Sequence, residues 1–160
     1  MTLSQKIADA VENHPNGSAS PGLVSAEADG ARMQLSLTAC GHVGFAFGSL
    51  GFSRVEPLNL STEALRAWGN RVASRVTYLM EPLVVLEVDA EAGVADLKSQ
   101  APTPRGELRS YYEVTLFRHG GLSLMRIGFD ETTRRRKPVE CQMTVEVLER
   151  LTDDIVASLV

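Results

Sequence analysis

The sequence predicts an α+β fold: a mostly antiparallel sheet built from hairpins, with one helix at the start, one in the middle and one at the end. Three observations predict it. Helical apolar spacing occurs in three separate stretches, near the two ends and at the centre. Between them lie segments with strand alternation, separated by Asp-Gly, Gly-Gly and proline-bearing turns. The 160 residues, 44% hydrophobic and 22% charged, suit a single domain spanning residues 1–160. A chain of this length buries enough surface to fold without a disulfide or a metal.

The first helix is expected over Leu3 to Val11, with Leu3, Ile7, Ala8 and Val11 on one face and Thr2 or Ser4 as its cap. His14-Pro15-Asn16-Gly17 breaks it, and Ser18 to Pro21 continues as loop. A hairpin follows, Gly22 to Ala28 against Ala31 to Ala39. Asp29-Gly30 suits a type I′ turn because both residues tolerate positive φ. That turn sets Ala28 opposite Ala31, Ala26 opposite Met33 and Val24 opposite Leu35. Glu27 then meets Arg32 on the other face.

The next strand is expected from about His42 to Gly48, after a three-residue turn with Gly41 in the bulge position. This register sets Val43, Phe45 and Phe47 beside Leu37, Leu35 and Met33 and keeps the phenylalanines on the buried face. Gly44, Ala46 and Gly48 then make a flat back that something can approach closely. Ser49 to Asn59 reads as a connection with room for a short strand.

The central helix is expected from Thr62 to Met80. Ser61 caps it and Leu60 staples onto Leu65. Leu65, Trp68, Val72, Val76, Leu79 and Met80 form its buried stripe, opposite Arg66, Asn70, Arg71, Ser74 and Arg75. Pro82 is its stop.

Leu83 to Val88 is a β-branched run that reads as a buried strand. Val94 to Ser99 is a more polar one, and Gln100 to Glu107 a loop. Leu108 to Arg118 and Leu122 to Phe129 make a long hairpin around Gly120-Gly121, with two turn choices giving plausible registers. Asp130 to Pro138 is polar and basic, and Val139 to Gln142 can add a short strand. The last helix is expected over Val145 to Leu159, with Thr144 as cap, Met143 stapling onto Leu148, and a stripe of Leu148, Leu151, Ile155 and Leu159.

The net charge of -4 argues against nonspecific nucleic-acid binding. Met1 to His14 lacks a basic n-region before an apolar core, so no signal peptide is expected. No apolar run reaches the ~20 residues of a membrane helix. Cys40 and Cys141 then read as free thiols, and a cytoplasmic location is expected with no membrane partner.

No stretch carries a catalytic, metal or phosphate motif, and no cofactor is implied. Cys40 and His42 are close enough to share a metal, or to form a thiol and base. A zinc site usually needs a second ligand pair, and nothing orients the base. His14 and His119 read as turn residues. Gly48-Ser49-Leu50-Gly51 and His119-Gly120-Gly121 lack the spacing of a phosphate loop.

Two groups remain as a possible interaction surface. In strand geometry Tyr112, Val114 and Leu116 share a face, while Tyr111 and Phe117 point the other way. Those two are either covered by the chain itself or offered to a partner. Arg134, Arg135, Arg136 and Lys137 are the densest charge run. They suit a solvated loop partly neutralised by Asp130 and Glu131, or a contact with an acidic partner.

The order of elements, three strands before a central helix, more after it and a closing helix in a small acidic chain, resembles the fold of type III secretion chaperones and related YbjN-like bacterial proteins. The resemblance spans most of the chain as topology alone. It implies a noncatalytic, chaperone-like module that binds protein segments and forms a homodimer. The alternative expectation is a small-molecule binder or enzyme with a pocket between the sheet and the central helix. Trp68, Phe45 and Tyr112 would line that pocket, and the central helix's arginines would meet an anion.

Overall fold

A computed structural model of the chain describes residues 1–14, 22–41, 43–100 and 103–159, apart from the side chains at positions 103 and 105. The turn cluster after the first helix, His42 and the start of the loop after Gln100 lie outside these residues. Three helices, α1 (Leu3–Glu12), α2 (Thr62–Arg75) and α3 (Val145–Ser158), cover one face of a single sheet. Its strands are β1 (Gly22–Ala28), β2 (Ala31–Cys40), β3 (Phe45–Arg54), β4 (Leu83–Asp89), β5 (Val94–Ser99), β6 (Thr103–Arg105), β7 (Leu108–Phe117), β8 (Leu122–Asp130), β9 (Arg135–Val139) and β10 (Cys141–Met143). The α+β class and its antiparallel pairing are therefore as the sequence predicts. Seven strands follow α2, however, where four or five were expected.

The sheet runs in the order β1-β2-β3-β8-β7-β5-β4. The helix layer follows it: α1 packs on β1 and β2, α2 on β4 and β5, and α3 touches both α1 and α2. Apolar side chains from both layers join one core, with Met33, Leu35, Phe47, Trp68, Leu97, Leu116 and Leu148 fully buried. Each helix starts on a hydroxyl that satisfies a free N–H of its first turn. Thr2 accepts from Gln5 N and completes a capping box, Ser61 accepts from Ala64 N, and Thr144 accepts from Val147 N.

The first hairpin has the expected register throughout, with Asp29 and Gly30 both at positive φ. The second pairing differs. Val43 does not join the strand and is 87% exposed. Phe45 pairs with Cys40 and Phe47 with Leu37, and two irregularities carry β3 onward until Phe52 faces Met33. Burial still governs the outcome, because both phenylalanines lie inside. It is satisfied by bulges within β2 and β3 rather than by a uniform slip. The expected connection at Ser49 to Asn59 is half strand, since β3 runs to Arg54.

The central helix also ends earlier than the pattern implies. It stops at Arg75, and Val76 leaves helical geometry at ψ 82. Val76 and Thr77 are β-branched, which weakens a helix end that nothing else supports. Val76 and Leu79 remain buried, but Met80 turns outward.

The last hairpins create the feature that matters most for function. β3 and β8 pair only over Ser49–Phe52 and Leu122–Met125. Beyond that they part, and one returning segment fills the wedge. β9 comes in along β8, from Asp130 opposite Arg135 to Arg126 opposite Val139. The chain turns at Glu140, and β10 leaves along β3, from Cys141 opposite Phe47 to Met143 opposite Phe45. Gly44 permits this fit, because a Cβ there would stand 2.8 Å from the Met143 carbonyl oxygen. Of the flat back expected at Gly44, Ala46 and Gly48, it is Gly44 that is closely approached, while a Cβ at Gly48 would meet nothing within 4 Å.

Candidate functional site

Two places in this architecture depart from an ordinary core and surface. The first is the β4 edge. Leu83-Val84-Val85-Leu86-Glu87-Val88 has the composition of an interior strand, but β4 pairs only with β5. Leu83 is buried and Val84, Val85 and Val88 are half-buried. A register shift between Val85 and Glu87 re-aims Leu86, leaving it 56% exposed. The expectation of a buried strand is thus corrected. Val85 packs under α2 near Gly69, but the far edge has no strand beside it among the described residues. The opposite sheet edge, β1, is protected differently. Its outward phase is Leu23, Ser25 and Glu27, with Leu23 68% exposed, and the Lys6 ammonium donates to the Glu27 carbonyl. Lysine and proline are common edge guards, and β4 contains neither.

The second place is the junction where β9 turns into β10. Arg126 occupies an inward position on β8 and is buried against Glu81, from the segment between α2 and β4. Both guanidinium nitrogens reach the carboxylate at 3.4 Å. The Ser99 hydroxyl donates to Glu81 Oε1 at 2.8 Å and accepts the Tyr112 backbone N–H at 2.7 Å. The guanidinium also lies 4.5 Å from the Tyr112 ring centre. Two charges are therefore held out of water by each other, a hydroxyl and a ring, an arrangement that is tolerated only when paired. Burial pushes the Tyr112 phenol above its ordinary value, and the nearby Cys141, Arg126 and Glu81 modify that shift. Burial likewise pushes the Cys141 thiol up to about 12, against a smaller lowering by Arg126. Cys141 is thus a neutral, inert thiol. A cavity of about 310 Å³ opens over this cluster, lined by Met80, Leu108, Ser110, Tyr112, Arg126 and Val139 among others.

The residues that sequence singles out as an interaction surface lie on the helix-free side of the sheet or at its rim. Tyr111 is not covered by a helix. Lys98 stands 5.7 Å and Arg136 5.9 Å from its ring centre, and Arg136 also pairs with Glu113 at 2.6 Å. Phe117 stacks on the His119 ring at 5.4 Å. The basic run is not a solvated loop. Arg134 sits in the tight turn at φ 58, and Arg135 and Arg136 belong to β9. Asp130 holds this turn by accepting from the backbone of Thr132 and Thr133. Arg135, Arg136 and Lys137 are exposed, so Tyr111 and Arg136 are brought together while Phe117 stands apart at the strand's other end.

The other candidates separate as well. Trp68 is fully buried under α3 and donates its indole N–H to Ser158 at 2.9 Å. Phe45 borders an apolar groove with Val43 and Met143, and Tyr112 faces the junction cavity. The three do not share a pocket. Near α2 and the sheet lies a void of about 10 Å³ among Val72, Val76, Val114 and Leu124. Of the α2 arginines, Arg71 donates to the Ser158 carbonyl at 2.6 Å and Arg75 pairs with Asp154 at 3.8 Å. Both cysteines are free, and Cys40 cannot be related to His42, which lies outside the described residues. Among those residues no group of three His, Cys, Asp or Glu converges as a metal site, and no helix is long and apolar enough to cross a membrane.

Sequence reasoning passed over Glu81, Ser99, Ser110 and Arg126. A signal was present: Leu122, Leu124 and Arg126 share one phase of β8, so a cation stands where the alternation demands an apolar side chain. In comparison with known proteins, no family model, curated protein or solved structure matches the chain.

Proposed function

We propose that this protein is a noncatalytic, chaperone-like protein-interaction module that pairs through its β4 edge, either with a second copy as a homodimer or with an extended segment of another protein. One observation carries the reading: the β4 sequence is composed for burial, but within one chain it stands at an edge with Leu86 exposed. An unguarded apolar edge of this kind is a template for strand addition. The opposite edge also exposes an apolar side chain, Leu23, but there it stands in line with Ser25 and Glu27, and Lys6 occupies the Glu27 carbonyl.

Light scattering combined with amide hydrogen exchange tests the reading. The β4 amides should exchange more slowly as protein concentration rises, or on adding an extended apolar peptide. Leu86→Lys should abolish that protection and leave the thermal midpoint within what ~0.5 kcal/mol allows, because the side chain is exposed. A protein that stays monomeric, with β4 amides unprotected under both conditions, rules the proposal out.

A further inference from the structure

We propose that the cavity at the β8–β9 junction binds a small carboxylic acid with an apolar body, as its monoanion. The cavity, about 310 Å³, is at the small end of the ~300–1,000 Å³ typical of small-molecule sites. Its walls divide by chemistry. Leu108, Val139 and Met80 offer apolar surface for the body of the ligand. Arg126 and Ser110, both at least nine-tenths buried, offer donors for its head.

Three features make the head group a carboxylate. Arg126 is incompletely satisfied by Glu81. Its two contacts are 3.4 Å long, against about 2.7–2.9 Å for a strong charge-assisted bond, and a guanidinium carries five N–H donors. The Ser110 hydroxyl lines the same cavity and has no hydrogen-bond partner among the described residues. Ser110, Gly128 and Lys137 stand in one cross-strand row, on the face that carries Arg126. Val139 and Leu108 pack over Gly128 as the cavity wall, and Lys137 is exposed in the same row.

The charge balance points the same way. Arg126 is the cation in the cavity wall, and Lys137, exposed on the same face of β9, adds positive charge on that side of the sheet. Asp130, in the next row, is committed to the turn amides of Thr132 and Thr133. Glu140, exposed at the rim, repels a second negative charge and sets a preference for a monoanion over a phosphate dianion.

The test is a titration of the intact protein with benzoate, hexanoate and benzamide, followed on the Arg126 Nε–H resonance by ¹⁵N NMR. Benzoate and hexanoate should shift that resonance saturably, and benzamide should bind about tenfold more weakly, as expected for losing a charge-assisted hydrogen bond. Leu108→Trp fills the cavity from two rows away from Arg126 and should abolish the shift. Ser110→Ala should weaken benzoate roughly tenfold, and Lys137→Gln should flatten its salt dependence. No saturable shift at concentrations on the order of 10 mM overturns the site. Equal binding of benzamide overturns the carboxylate assignment. Unchanged benzoate binding by a folded Leu108→Trp variant overturns the location.

Discussion

The inner face of the sheet is built in two ways. Under α1 and α3, β2 and β3 present Met33, Leu35, Leu37, Phe47 and Phe52, all buried and all apolar. Where β3 and β8 part, the same face is held by Glu81, Ser99, Tyr112 and Arg126. The first region is close-packed by shape, the second by charge and hydrogen bonds. The difference follows from pairing. β2 and β3 are continuous neighbours beneath helices, so apolar side chains fill the space between layers. The wedge has a turning strand and an opening, and there the Ser99 hydroxyl and the Tyr112 N–H are satisfied within one polar cluster.

The two regions should fail differently. Arg126→Met removes the guanidinium that pairs with the buried Glu81 carboxylate. It should cost about 3–5 kcal/mol by urea unfolding, the largest effect expected of a single change here. The double variant Glu81→Leu with Arg126→Met should recover most of that loss, since an apolar pair of similar volume often replaces a buried ion pair without penalty. A double variant as unstable as the single one would mean that the junction depends on its wider hydrogen-bond network rather than on the ion pair.

In the dry region Leu35→Ala should cost about 3 kcal/mol, by lost transfer energy and a residual cavity. No second change at a charged site should restore it. Recovery would have to come from a larger apolar neighbour.

A smaller effect separates the regions by pH. The folded-state pKa of Cys141 lies near 12, above the ordinary 9.0. The folded protein therefore holds this proton where the unfolded chain releases it. The stabilisation is complete below pH 9 and is lost as pH rises toward the folded value. Tyr112 shifts in the same direction for the same first cause, burial. Cys141→Ala should flatten the alkaline limb of the stability profile, and Leu35→Ala should leave its slope unchanged.

This division also marks what the sequence makes legible. The first hairpin is readable because Asp29-Gly30 fixes the turn and alternation fixes the faces, and both agree. Helix starts are readable because Thr2, Ser61 and Thr144 each meet a local need within three residues. The second pairing is not, because irregularities inside β2 and β3 absorb residues that a uniform register would align. β4 misleads for another reason: composition reports that a strand is suited to burial and does not report which neighbour the topology provides. The candidate sites depend on such distant neighbours. Glu81 meets Arg126, and β4 ends at an edge, through contacts that no local pattern encodes.

The V formed by β9 and β10 has a consequence for the order of folding. β9 forms a local hairpin with β8, but β10 pairs with β3 from far earlier in the chain, and the wedge exists only once β3 and β8 are side by side. Closing such long loops early is entropically costly. β10 is therefore expected to dock late, after the local β8–β9 hairpin, with its contacts little formed in the rate-limiting step of folding. Strengthening its contacts should slow unfolding while leaving the folding rate nearly unchanged. The segment that shapes the junction cavity thus also sets how long the folded molecule persists.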